Sequence, residues 1–276
     1  MFNSRFNKPM RIILSSQIAR SLIVSLVAYS SLSAAVIVTA PGSASAYSNS
    51  NNALPFMQTT ADYQQIYSSS LFSSLPAGGG FIDSIAFRPA GLDSLGNKSP
   101  DIDVNYSSLE ISLSTTSVAV GSLDPLNPSL DLGSNNTIVF DQTNFSMLAT
   151  STGDPTNFDF SFSIAPFFYN PANGNLLIDV QSGIAAYYGG YLDYDSTQAG
   201  QIVTSRYYDV PAWSANAADN GGLVTQFVVN PGTPPTQRVP DSTGGIVDLS
   251  LLGLVLLHFL YQRRQAAGLR AQVVAS

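Results

Sequence analysis

Cysteine is absent from the 276 residues, histidine, glutamate and tryptophan each occur once, and charged residues make up only 11% of the chain. Each scarcity excludes something. Without cysteine there are no disulfides, no thiolate zinc sites and no thiol nucleophile, so packing must hold the fold, with metal ions the remaining cross-link open to it. The one histidine, His258, lies in an apolar carboxy-terminal run. The preceding domain therefore lacks the side chain that serves serine hydrolysis, histidine metal centres and most acid–base catalysis at neutral pH. A two-carboxylate glycosidase would need a pair of aspartates, because Glu110 stands on the solvent face of an expected strand. The chain is expected not to be an enzyme and to require no cofactor.

The few basic residues are unevenly spread. Arg5, Lys8, Arg11 and Arg20 precede an apolar stretch at 22–38, and Ala44-Ser45-Ala46 supplies the small-x-small pattern of a signal-peptidase site. Residues 1–46 are therefore expected to be a signal peptide helix, with an uncleaved anchor as the alternative; export follows in both cases. Residues 47–238 hold sixteen acidic residues against Arg88, Lys98, Arg206 and Arg238, a net charge of −12. A surface of that sign repels phosphate backbones and anionic lipid, which excludes nucleic acid as a partner and leaves calcium and neutral sugars.

Inside this region the apolar residues recur at period two. Phe158, Phe160, Phe162 and Ile164 alternate with Asp159, Ser161 and Ser163, as Leu109, Ile111 and Leu113 do with Glu110, Ser112 and Ser114. That is the pattern of a strand with one face in a core and one in water. Further strands are expected at 64–67, 81–88, 137–140, 176–181, 202–208 and 223–229. Glycine, proline and asparagine turns separate them, among them Asn173-Gly174 and Asn220-Gly221-Gly222. Residues 47–230 are read as one all-β domain, an antiparallel jelly-roll-like β-sandwich.

Two groups of side chains invite chemistry. Asp93, Asp101 and Asp103 surround Gly96-Asn97, and Asp193 and Asp195 stand two apart. Aspartates clustered in loops offer the oxygens that Ca2+ takes, although neither group has EF-hand spacing. The alternative is that these are turn residues bonding their own backbone. Tyr187, Tyr188, Tyr191, Tyr194, Tyr207, Tyr208 and Trp213 could make a sugar-stacking platform or could pack in a sandwich core, with Arg206 stacking among them.

From residue 231 the chain turns proline-rich and reads as a semi-rigid linker over 231–238. Val239-Pro240-Asp241-Ser242 follows, then 18 residues from Gly244 to Tyr261 that are mostly apolar, then Arg263-Arg264. As a helix those 18 residues reach about 27 Å, just under a hydrocarbon core of about 30 Å. The two arginines hold that end on the cytoplasmic side and put the domain outside, with 265–276 as a cytoplasmic tail.

This ordered tail, residues 239–264, resembles the carboxy-terminal sorting signals of the PEP-CTERM class, most closely the VPDSG-CTERM variant. Thr243 stands where the variant has glycine, Asp248 and His258 interrupt the apolar run, and twelve residues follow Arg264. Stretches at 63–72, 81–88, 109–116, 166–171 and 175–180 also resemble the β-rich ectodomains that such tails carry. The resemblance implies signal peptidase and an exosortase-like membrane enzyme as partners, and a membrane span before processing. It implies delivery to the cell surface or an extracellular polysaccharide matrix, in a structural or adhesive role. The alternatives are a secreted carbohydrate-binding module and a tail-anchored surface protein without sorting.

Overall fold

The computed structural model describes residues 34–41, 50–92, 97–153, 155–196, 202–213 and 215–233. The expected signal helix as far as residue 33, the linker from 234, the sorting motif, the carboxy-terminal span and the cytoplasmic tail lie outside the described residues. Among the described residues no helix is long and apolar enough to cross a membrane. The chain divides into two compact units between Thr233 and Pro234, and all the described strands belong to the first.

The described part is all-β and antiparallel. Its strands are β1 (Val36–Ala40), β2 (Ser50–Asn52), β3 (Thr60–Tyr67), β4 (Gly80–Phe87), β5 (Ile102–Thr116), β6 (Thr137–Ala149) and β7 (Phe160–Tyr169). They continue with β8 (Asn175–Gly189), β9 (Leu192–Asp195), β10 (Thr204–Val210), β11 (Ala215–Asp219), β12 (Gly222–Leu223) and β13 (Thr225–Pro231). A four-stranded sheet has the order β1-β13-β4-β7, a six-stranded sheet β11-β10-β3-β8-β5-β6, and a small third sheet β12-β9-β2.

The two larger sheets share one core. Phe160, Phe162 and Ile164 of β7 face inward while Ser161 and Ser163 face water, as the period-two pattern requires. Ala165 and Pro166 are then exposed in succession, the ladder to β4 shifts register there, and Phe167 and Tyr169 point inward again. Proline suits this bulge because it has no N–H to give a ladder. A second bulge resets β5: Ser107 has no partner in either ladder, and the buried positions change from Ile102, Val104 and Tyr106 to Leu109, Ile111 and Leu113. Phe56, fully buried, fills the centre with its ring 4.7 Å from Phe87 and 5.3 Å from both Phe160 and Phe162. Buried hydroxyls find partners between the layers: Tyr67 Oη lies 2.6 Å from Thr225 Oγ1, and Tyr106 Oη donates to the Phe56 carbonyl at 2.8 Å.

Three departures from the sequence-based expectation have physical causes. Val36–Ala40, inside the segment expected to leave with the signal peptide, pairs with β13 over five residues and buries Val38 and Ala40. The described β pairing thus begins eleven residues before the expected start at 47. The solvent face expected for Ser112 and Ser114 is covered, because the connection between β5 and β6 folds back over it. Gly133 N donates to Ser114 Oγ at 3.1 Å, and Leu123 joins Ile66, Leu177 and Tyr207 in a second, smaller core. Finally, the apolar run 223–229 is two strands rather than one. Val224 leaves the ladder there, its carbonyl accepting from Arg88 N at 3.2 Å and its N–H donating to the Asp193 carbonyl at 2.9 Å. At the other end β13 extends to Pro231, the first residue of the expected linker.

Candidate functional site

Of the expected site residues, Val239, Pro240, Asp241, Ser242, Arg263 and Arg264 lie outside the described residues, as does Asp93. Asp101 is exposed and accepts from Ser151 N at 2.8 Å, so it bridges two loops through the backbone. Asp103 is exposed on β5, opposite Leu148 and Tyr188. Among the described residues no group of three or more aspartate, glutamate, histidine or cysteine side chains stands close enough to hold a metal ion.

Asp193 is a counterion in the core. Its Oδ2 lies 2.6 Å from Arg88 Nη2 and accepts from Arg88 Nε at 2.8 Å, with the two side chains 0% and 3% exposed. Asp193 N also donates to the Arg88 carbonyl at 2.8 Å. Arg88 follows β4 and Asp193 sits in β9, so this pair fastens the four-stranded sheet to the small one.

The tyrosines expected as one platform separate into two groups. Tyr187, Tyr188 and Tyr191 gather near the end of β8, with Tyr188 68% exposed, Tyr191 40% exposed and the Tyr187 and Tyr191 rings 6.4 Å apart. Tyr194 and Tyr207 are buried, Tyr207 in the smaller core on the outer face, Tyr208 is half-buried, and the Trp213 side chain is outside the described residues. Arg206 does stack, with its guanidinium carbon 4.2 Å from the Tyr194 ring centre and 4.9 Å from that of Tyr208.

The Arg206 site is built by register. Arg206 of β10 stands directly opposite Asp219 of β11 and Gln65 of β3. The carboxylate takes Nε at 3.0 Å and Nη2 at 2.9 Å, the forked geometry that suits guanidinium. Tyr194 Oη donates to Asp219 Oδ1 at 2.7 Å. Gln65 aligns the next strand, its amide accepting from Leu223 N at 2.9 Å and donating to the Leu223 carbonyl at 3.1 Å, as a backbone neighbour would. Burial pushes the Tyr63 and Tyr194 hydroxyls well above the usual tyrosine range, so both stay neutral hydrogen-bonding groups. Arg206 Nη1 is buried without a hydrogen-bond partner. A cavity of about 240 Å³ has Ser205, Arg206, Asp219, Asn220 and Gly121 in its wall. Pockets for drug-sized ligands begin at about 300 Å³, so this one admits a small polar molecule.

A second cluster lies on the outer face of the six-stranded sheet. Even-numbered β3 residues face outward there: Asp62 stands opposite Asp209 of β10, and Gln64 opposite Asp179 of β8. Asp62 and Asp179 are close enough for the charge of one to bear on the other. Burial, then the charge of Asp62, holds the Asp179 carboxyl above the ordinary range; burial does the same for Asp62, aided by Asp209 and Asp131. Asp62 Oδ1, Asp179 Oδ1 and Gln64 Oε1 are all buried acceptors without a hydrogen-bond partner. Gln64 is fully buried and its Nε2 donates to the Pro128 carbonyl at 3.0 Å, tying the cluster to the covering loop. Chemically this is a pair of neighbouring carboxyls that burial holds toward the protonated form. One sequence signal marks it: Asp179 interrupts the run Leu176-Leu177-Ile178-Val180, where a carboxylate between apolar neighbours is out of place.

In comparison with known proteins, the chain matches no family model, no curated protein and no solved structure.

Proposed function

We propose that this is an exported cell-surface or extracellular-matrix protein, structural or adhesive, whose acidic β domain is delivered by the carboxy-terminal signal. The observation that carries the proposal is the fixed order of that tail: Val239-Pro240-Asp241-Ser242, an apolar run of spanning length, and Arg263-Arg264 behind a proline-rich linker. The domain is taken to be a jelly roll. The order of strand pairing supports that. Counting β1, β3, β4, β5, β6, β7, β8 and β13 as strands one to eight, first pairs with eighth, second with seventh, third with sixth and fourth with fifth. One long antiparallel ribbon, rolled so that its pairs fall alternately into two sheets, has that order. On this proposal the Arg88–Asp193 ion pair and the buried aromatic residues are structural.

The test is the full chain in the bacterium that makes it, compared with a chain lacking residues 239–264. Sorting predicts surface-associated protein whose intact mass lacks the span, and loss of surface retention on deletion. A membrane-held chain that keeps Arg263 and Arg264 would instead establish the tail-anchored alternative and overturn sorting. The exposed rings of Tyr188 and Tyr191 favour a second function, carbohydrate binding, because exposed aromatic faces stack on sugars. Retention on polysaccharide that disappears in Tyr188→Ala with Tyr191→Ala is its expected result.

A further inference from the structure

We infer that signal peptidase cuts between Ala35 and Val36, so that the mature chain begins with β1. The inference rests on the export proposed above and adds the position of the cut. Three observations carry it. First, β1 is built into the domain: Val36–Ala40 pairs residue for residue with Val229 to Thr225 of β13, Val38 is 4% exposed and Ala40 is fully buried. Cutting after Ala46 would strip this strand and bare the outer edge of β13, with its row of unpaired backbone groups and its buried Phe227 and Val229. Second, Ser33-Ala34-Ala35 satisfies the same small-x-small requirement as Ala44-Ser45-Ala46. Ala34 and Ala35 are exposed and outside any strand, so the bond ahead of Val36 lies next to β1 without being part of its ladder. Third, the spacing improves. From Arg20 to Ala46 is long for the apolar and cleavage regions of a signal peptide, whereas a cut after Ala35 leaves an apolar region beginning at Leu22 and a short cleavage region of serine and alanine.

The reaction is hydrolysis of one peptide bond. Water adds across Ala35–Val36, Ala35 leaves with the new carboxylate, and Val36 keeps the new amino group at the free end of an edge strand.

The test uses the full chain exported by its own bacterium, with the amino terminus read by sequencing and intact mass. The expected terminus is Val36, so the exported chain keeps the eleven residues 36–46. Ala35→Phe should accumulate precursor, and Ala46→Phe should process like the parent. A terminus at Tyr47, or a block caused by Ala46→Phe alone, overturns the cut while leaving export intact. An exported chain that retains Met1 overturns the cut in favour of an uncleaved anchor. Chain confined to the cytoplasm overturns the cut and the export proposal together.

Discussion

Two arginine–aspartate pairs stand among the described residues, and they differ in closure rather than in chemistry. Arg88 and Asp193 are sealed, with side chains 0% and 3% exposed, and their backbones bond each other as well. Arg206 reaches both oxygens of Asp219, where Arg88 meets Oδ2 of Asp193, but the Asp219 side chain is 38% exposed and the pair borders a cavity. A sealed pair is weak evidence for net stability, because both charges lose water, yet removing one partner leaves the other stranded. A pair at the wall of a cavity keeps a route to solvent. The first fastens two sheets and has no free side to offer a ligand; the second is where a polar molecule can lie.

The largest expected effect follows from the sealed pair. Asp193→Asn should cost about 3–5 kcal/mol in urea denaturation, because Arg88 would remain charged and uncompensated in the core. Arg88→Met combined with Asp193→Leu should recover most of that loss. A cost below about 1 kcal/mol for the single change would place the pair with ordinary surface bridges and remove the contrast. Asp219→Asn should cost less, about 1–2 kcal/mol, since the Asp219 side chain is already 38% exposed and Tyr194 keeps an acceptor.

A like-charged pair extends the comparison. Because Asp62 and Asp179 hold a proton more tightly folded than unfolded, the folded chain binds more protons above the ordinary carboxylate range. Their stabilisation is full below about pH 4 and is lost as pH rises to about 7, the value to which burial and the Asp62 charge push Asp179. Asp179→Asn should flatten melting temperature against pH across that window and raise it at pH 8. An unchanged slope would show that burial does not hold these carboxyls protonated. The smallest effect is expected at the exposed rings: Tyr188→Ala should change stability by less than about 0.5 kcal/mol, whatever it does to polysaccharide retention.

Local pattern made part of this legible. The alternation through Phe160, Phe162 and Ile164 places β7 because one buried face forces period two, and Asn173-Gly174 marks a corner where Gly174 has φ +142° and a Cβ would meet the Thr116 carbonyl at 2.4 Å. Other parts need the structure. Val36-Ile37-Val38 reads as signal segment because apolar content serves a bilayer and a sheet equally; only β-branching distinguishes it. The strand at 223–229 appeared continuous because the cause of its break, Arg88, is remote in sequence. The partner of Arg88 is 105 residues away, and the Arg206–Asp219 fork depends on a strand register that composition does not encode. The carboxyl pair is intermediate, since Asp179 stands out among apolar neighbours whereas Asp62 does not.

The ladder joining Val36 to Val229 also fixes an order of events. The first strand of the domain waits for the last, so a chain emerging from its amino end cannot complete the four-stranded sheet until residue 231 is through. Contacts this distant in sequence form slowly. If the chain is exported as proposed, such a domain stays threadable during the passage and closes only when the segment at 225–231 has arrived.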